Sequence, residues 1–182
     1  WGLLAQNHRG HQSYGFLTCG DEIHAHKDLG LIPQIEEEDM GSWLWKLPGS
    51  LGIGHVRYAT SGASDADALV RDAQPITEGS GDASLSISFN GNVVNVLELR
   101  EELQMEMEGR RRTSDVILLS LKILKELENG SDLDSAAKSC MQGVEGAFSI
   151  AGLTGEETLF AFRDPWGLRP LCLGQDDGLT AI

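Results

Sequence analysis

The amino-acid sequence predicts a layered α+β fold carried by one domain. Three observations predict it. Short apolar runs bounded by turn residues fill the first half, with strict period-two alternation over residues 85–89. Apolar residues recur at helical spacing between residues 95 and 141, and four more strand-like runs follow.

Each element can be justified in order. Residues 1–7 have an apolar start and no capping residue, so they read as the last turns of a helix that begins upstream. Residues 14–19 and 22–27 form two strands joined at Gly20-Asp21, a pair suited to a tight turn. A third strand covers residues 51–60. In residues 85–89, Leu85, Ile87 and Phe89 alternate with Ser86 and Ser88, as in a strand with one buried face that ends at an Asn/Gly turn. Val96, Leu97, Leu99 and Leu103 place a helix over residues 95–107. The next helix starts at Ser114, a capping residue, and carries Ile117, Leu118, Leu121, Leu124 and Leu127 on one stripe until Asn129-Gly130 stops it. A third helix covers residues 133–141. Strands at 147–152, 159–163, 171–174 and 179–182 follow, separated by turns such as Gly155-Glu156 and Asp164-Pro165-Trp166-Gly167. The last strand stops at Ile182, so both ends are read as cut.

At 182 residues and 41% hydrophobic content the chain can bury one core. Its formal net charge of −14 repels phosphate backbones and anionic lipid, which argues against nucleic-acid and membrane partners. Acidic runs such as residues 36–39 and 65–72 read as solvated loop surface. The three cysteines, Cys19, Cys140 and Cys172, are odd in number and outside any CxxC pattern, so neither a disulfide framework nor a zinc ribbon is expected. All three read as buried small hydrophobes. A soluble, cytoplasmic chain follows from this composition.

Four segments concentrate polar residues at strand ends: His8-Arg9-Gly10, residues 55–60, Phe89-Asn90-Gly91-Asn92 and Thr113-Ser114-Asp115. Each alone has an ordinary reading. Arg57 suits a surface ion pair, Asn90-Gly91 a hairpin turn, and Asp115 the first turn of a helix. Together they offer a cationic fork for a carboxylate, an anion for an ammonium, and an amide with a Gly N–H for a developing oxyanion. That set fits an amino acid held by its α-groups while its side-chain amide is hydrolysed, as in glutamine or asparagine.

These segments, in this order, resemble the glutaminase domain of amidophosphoribosyltransferases within the N-terminal nucleophile hydrolase superfamily. The anchors are residues 8–15, 52–62, Ala73-Gln74-Pro75, Asn90-Gly91-Asn92, Thr113-Ser114-Asp115 and residues 162–171. The resemblance implies a four-layer sandwich, two antiparallel sheets between helices, spanning residues 1–182 as one glutamine amidotransferase domain. It also implies roles: Arg57 for the glutamine α-carboxylate with Thr60 beside it, Asp115 for the α-ammonium, Asn90 and the Gly91 N–H for the oxyanion hole. Arg9 and Gly10 match a loop that positions the nucleophile, and residues 163–171 match a structural strand-turn-strand.

In such enzymes an N-terminal cysteine attacks the glutamine amide with its own α-amine as base. Residue one here is Trp1, and the internal Cys19, Cys140 and Cys172 lack that amine, so the chain as it stands is expected to be inactive. The resemblance implies that ammonia passes to phosphoribosyl diphosphate on a separate C-terminal phosphoribosyltransferase domain, giving phosphoribosylamine for purine synthesis. No cofactor is expected in this domain, Mg2+ is expected in the other, and a homo-oligomer is implied. The alternatives are the glutaminase domain of a glucosamine-6-phosphate synthase or asparagine synthetase type, and a non-catalytic glutamine-binding homologue. The chain departs from the family pattern at Phe89, where His is usual, and at His11-Gln12, where Gln and an acid are usual. His24 and His26, two apart on a strand, read as solvent-facing alternation rather than metal ligands, and no metal site is expected.

Overall fold

The structure, a computed structural model, describes residues 2–20, 22–34, 41–42, 45–58, 66–104 and 114–182. It is a mixed α+β arrangement with antiparallel sheets. The first sheet has the order β2-β1-β3, from β1 (Ser13–Cys19), β2 (Ile23–Leu29) and β3 (Leu51–Arg57). The second has the order β4-β5-β6-β7, from β4 (Ile76–Glu78), β5 (Leu85–Val93), β6 (Gly146–Thr154) and β7 (Leu159–Arg163). A hairpin of β8 (Gly174–Asp176) and β9 (Leu179–Ala181) follows.

Side-chain parity explains how the sheets meet. Residues paired across an antiparallel ladder share a face. Leu17 pairs with Ile53 and Cys19 with Leu51, and this face packs against Ala151, Leu153 and Leu159 of the second sheet. The same face continues, two residues at a time, through Gly15 opposite His55 to Ser13 opposite Arg57. The space between the sheets is therefore apolar at one end and polar at the other.

The far face of the second sheet carries Leu85, Ile87, Phe89, Phe148 and Ile150, which build the larger core with the helices α4 (Asp115–Glu128) and α5 (Leu133–Gly143). On α4, Val116, Leu119 and Ile123 face this core, while Leu118 and Leu121 pack on Leu103 beyond α3 (Val96–Glu102). The single apolar stripe expected of α4 is thus wider, because neighbours flank the helix on two sides. On the first sheet, α1 (Gly2–Ala5) meets β3, and α2 (Ala66–Arg71) meets β2.

Several sequence expectations are corrected. Asn90, Gly91 and Asn92 do not form a turn but lie inside β5, paired with Ser149, Phe148 and Ala147. The serine face of β5 is buried too: Ser86 meets Thr77 Oγ1 at 2.8 Å, and Ser88 Oγ donates to the Gly54 carbonyl at 3.3 Å. Ser114 stands at the start of α4 without a side-chain capping bond, whereas Asp132 caps α5 by accepting the Ser135 N–H at 2.7 Å. The helix over 95–107 ends at Glu102, and residues 105–113 lie outside the described residues. Residues 171–173 are not in a strand and β8 begins only at Gly174, so the segment 163–171 is not strand-turn-strand. The acidic stretch read as a loop holds α2, and β4 was not foreseen, since three residues carry too little periodicity. His24 and His26 are half-buried, with His26 against the Tyr14 ring, rather than solvent-facing.

Candidate functional site

The polar end of the inter-sheet space gathers most of the residues singled out in the sequence. Arg57 closes β3, and its Nη1 is buried with no hydrogen-bond partner among the described residues. Ser13, directly opposite in register, is fully buried, and among the described residues its Oγ has no partner either. A buried guanidinium N–H facing no acceptor is costly unless a ligand supplies one.

Arg9 and Gly10 come to the same strand. A helical turn at Asn7–Arg9 precedes Gly10, and a β-carbon on Gly10 would collide with the backbone of Val56 and Arg57. The Gln12 N–H then donates to the Arg57 carbonyl at 3.0 Å. Asn7 fixes this turn from the other side, exchanging two hydrogen bonds with the backbone of Ile32 at 2.8 and 2.9 Å. Arg9 itself is exposed.

Strand β5 supplies the opposing wall. Asn90 has the parity of Ser86 and Ser88, which face the first sheet. The N–H groups of Phe89, Gly91 and Val93 point by ladder alternation to the edge that β4 leaves open beyond Ile76. That of Phe89 donates to Gln74 Oε1 at 2.6 Å, and that of Val93 to Asp115 Oδ2 at 3.0 Å. Between them, the Gly91 N–H has no such side-chain partner among the described residues.

His55 joins the two sheets. Its Nε2 lies 3.1 Å from the Phe89 carbonyl. Burial, reinforced by the neighbouring Arg57 charge and opposed by the bond to Phe89, lowers its pKa from the ordinary 6.5 to about 4. The ring is therefore neutral near pH 7. Because a carbonyl only accepts, the ring proton sits on Nε2, which leaves a buried Nδ1 without a partner among the described residues. One bonded path thus runs from Arg57 through His55 to Phe89, along β5 past Asn90 and Gly91 to Val93, and on to Asp115.

Arg57, Asn90, Gly91 and Asp115 lie on that path, and Arg9 and Gly10 adjoin it. Thr60 and Thr113 lie outside the described residues. Ser13, His55 and Gln74 received no role from the sequence, although each stood inside a quoted anchor; burial and orphaned atoms are what single them out. Cys19 and Cys140 are buried as expected, and burial pushes the Cys140 thiol up to about 12. Cys172 is exposed, contrary to expectation, since no strand forms around it to cover it. Among the described residues no group of three or more His, Cys, Asp or Glu side chains could hold a metal, and no helix is long and apolar enough to cross a membrane.

Comparison with known proteins bears on this geometry. The profile of the family described as "Glutamine amidotransferase domain" matches residues 58–182. The chain is 35% identical over 178 residues to the amidophosphoribosyltransferase of Methanocaldococcus jannaschii, covering 97% of this chain and 36% of that protein. It is 37% identical over 175 residues to that of Synechococcus elongatus, covering 96% and 34%. Among solved structures, a glutamine phosphoribosylpyrophosphate amidotransferase from B. subtilis, complexed with ADP and GMP, superposes with a TM-score of 0.77 at 30% identity, covering 97% of this chain and 36% of that one. The chain spans roughly a third of the length of these relatives.

Proposed function

We propose a function from one premise: the chain belongs to the family of glutamine amidotransferase domains. It binds glutamine and hydrolyses the side-chain amide to glutamate and ammonia, as part of an amidophosphoribosyltransferase in which the ammonia passes to phosphoribosyl diphosphate and gives phosphoribosylamine. The fold is the four-layer sandwich of N-terminal nucleophile hydrolases. The observation that carries this reading is the bonded path from Arg57 to Asp115, with an unclaimed buried Arg57 Nη1 near one end and an unclaimed Gly91 N–H along it.

In this reading Arg57 holds the α-carboxylate, a task Thr60 shares, and Asp115 holds the α-ammonium, so the side-chain amide is presented to Asn90 and Gly91. The nucleophile of this reading is an N-terminal cysteine that residues 1–182 do not contain; positioned by Arg9 and Gly10, it attacks the amide carbon. Its α-amine takes the thiol proton and returns it to the leaving nitrogen, so the C–N bond breaks and ammonia departs. The oxyanion that forms is held by the Asn90 side-chain amide and the Gly91 N–H. Water then hydrolyses the glutamyl thioester to glutamate and restores the thiol. Cys19, Cys140 and Cys172 are internal and have no free α-amine, so none of them is this nucleophile. The amide hydrolysis draws on no cofactor, and Mg2+ belongs to the phosphoribosyl transfer.

Calorimetry of glutamine binding to the full-length protein, with and without Arg57→Ala, tests the reading beside a glutaminase assay. Loss of a buried guanidinium–carboxylate pair weakens binding by about a hundredfold. Unchanged affinity sinks the proposal. Binding that depends on Arg57 but comes with no ammonia release indicates a non-catalytic glutamine-binding homologue instead.

A further inference from the structure

Two side chains of the polar end have no part in the chemistry above, yet both are bound to one residue of β5. Gln74, 8% exposed, accepts the Phe89 N–H at 2.6 Å, and His55 Nε2 reaches the Phe89 carbonyl at 3.1 Å. Strand β4 stops at Ile76, opposite Ile87, so the next residue along that edge of β5 has no strand beside it. Gln74 and His55 replace the missing strand at Phe89, one from each side. They can do so because Gly15 stands opposite His55 in register: a β-carbon there would strike the Gln74 backbone carbonyl.

We propose that His55 and Gln74 are positioning residues for amide hydrolysis, clamping both edge groups of Phe89 so that Asn90 and the Gly91 N–H stand at a fixed place relative to Arg57. This rests on the glutaminase reading above. Its physical basis is the length of the substrate. Glutamine carries its α-carboxylate and its reacting amide at a set separation, so the carboxylate fork and the oxyanion donors must keep a matching separation. Here those two groups sit on different sheets. The His55 bond joins them by a short route: His55 lies two residues before Arg57 on the same face of β3, and Phe89 immediately precedes Asn90. The second bond between the sheets nearby, from Ser88 Oγ to the Gly54 carbonyl, is longer at 3.3 Å and does not engage the edge groups of Phe89. His55 suits this task because its ring is neutral and fixed in one tautomer, so the link is a single directed N–H donor without a second positive charge beside Arg57.

Steady-state glutaminase kinetics of the full-length protein test the proposal, with His55→Leu, His55→Gln, His55→Asn and Gln74→Leu as variants and thermal melts alongside. A clamp that sets the oxyanion donors acts on kcat. His55→Leu and Gln74→Leu are expected to lose about 30- to 100-fold in kcat with the KM for glutamine within about threefold. His55→Gln, whose amide N–H can still reach the carbonyl, is expected to recover to within about fivefold of wild type, and the shorter His55→Asn is not. The Gln/Asn contrast decides the matter even if both leucine variants fail to fold. Equal kcat for His55→Gln and His55→Asn overturns the proposal, as does a rise in KM at unchanged kcat. Arg57→Ala and Asn90→Ala serve as controls for the underlying reading. If they impair turnover while the His55 and Gln74 variants match wild type, only the positioning role is lost. If they are silent, or the wild-type protein releases no ammonia, the glutaminase reading fails and the positioning role with it.

Discussion

The carboxylate of Asp115 accepts the backbone N–H of Val93 at 3.0 Å, tying the first turn of α4 to the end of β5. One carboxylate oxygen thus closes the open edge of the strand that carries Asn90 and Gly91. The other is left for the ammonium that the functional reading assigns to it. The two tasks separate chemically, because an amide oxygen can accept the Val93 N–H but brings no charge.

Asp115→Asn is therefore expected to keep the melting temperature within about 2 °C of wild type while weakening glutamine binding at least tenfold. Asp115→Ala loses the bond as well and is expected to cost about 1–3 kcal/mol of stability, since the Val93 N–H is left without its partner. Calorimetry with glutamine and urea titration of both variants would decide. Wild-type affinity in Asp115→Asn would remove the ammonium role.

Gly91 is constrained by its neighbour strand rather than by its own dihedral angles. A β-carbon there would come within 2.6 Å of Phe148 Cβ and 2.7 Å of its Cα, backbone-level contacts with little room to relax. Gly91→Ala must push β5 from β6, which is expected to cost about 1–3 kcal/mol by urea titration. The shift moves the Gly91 N–H, so turnover in the full-length protein should fall by more than tenfold. A variant as stable and as active as wild type would show that the two strands tolerate separation here.

How much of this was legible beforehand depends on the distance over which each residue is held. Strands β1, β2 and β7 and helices α4 and α5 follow from local periodicity and turn residues, and their limits fall within a few residues of expectation. Arg57, Asn90, Gly91 and Asp115 were found through motifs, and the structure puts them on one bonded path. Asn90-Gly91 was misread as a turn because a Gly in a strand and a Gly in a hairpin look alike until Phe148 is known to lie opposite. The serines of β5 were misread as a solvent face because the sheet that covers them is contributed by residues more than thirty positions earlier. Gln74 and His55 act through bonds to Phe89 across 15 and 34 positions, which no local pattern encodes.

Two groups, the half-buried His55 and the buried Asp164, make acid stability depend on pH in separate windows. The His55 pKa falls from 6.5 to about 4 on folding, so the unfolded chain takes up this proton first as pH drops. Stability then declines between about pH 6.5 and 4, by up to roughly 3 kcal/mol, and this contribution is level below. Asp164 is 2% exposed; burial opposes its ionisation, but the N–H groups of Phe148, Leu168, Trp166 and Gly167 outweigh it and hold the carboxyl below the ordinary 3.8. Its contribution is present above pH 3.8 and is lost below, as pH falls through the folded value. Urea titrations of wild type and His55→Gln from pH 7 to 3 should differ in slope only in the upper window. Parallel curves throughout would contradict a His55 that folds with a neutral ring.

The three thiols should differ sharply in reactivity. Cys19 and Cys140 are 4% and 0% exposed, and burial raises both thiols, that of Cys140 to about 12, so little thiolate exists at either near pH 7. Cys172 lies on the surface. Of these three, native protein at pH 7.5 should take up maleimide only at Cys172 within minutes, and at Cys19 and Cys140 only in denaturant, as read by mass spectrometry. Rapid labelling of Cys140 in the native state would mean that the α4–α5 core opens.

The buried ammonium of Lys122 tests how the helices are held together. Lys122 is 5% exposed in the middle of α4, and its Nζ lies 2.7 Å from Glu102 Oε1, while Lys125 Nζ donates to the Glu102 backbone carbonyl at 3.0 Å. Both lysines thus draw the last turn of α3 onto α4. Removing the carboxylate charge strands an ammonium that is nearly out of water, so Glu102→Gln is expected to destabilise by about 2–4 kcal/mol. Replacing the cation by an apolar chain of similar length removes the desolvation cost along with the pair, so Lys122→Met should lie within about 1 kcal/mol of wild type. The double variant should then cost much less than Glu102→Gln alone, giving a favourable coupling energy in a double-mutant cycle read by urea titration. Simple additivity would mean that water reaches Lys122 and that Leu103, Leu118 and Leu121 hold α3 in place unaided.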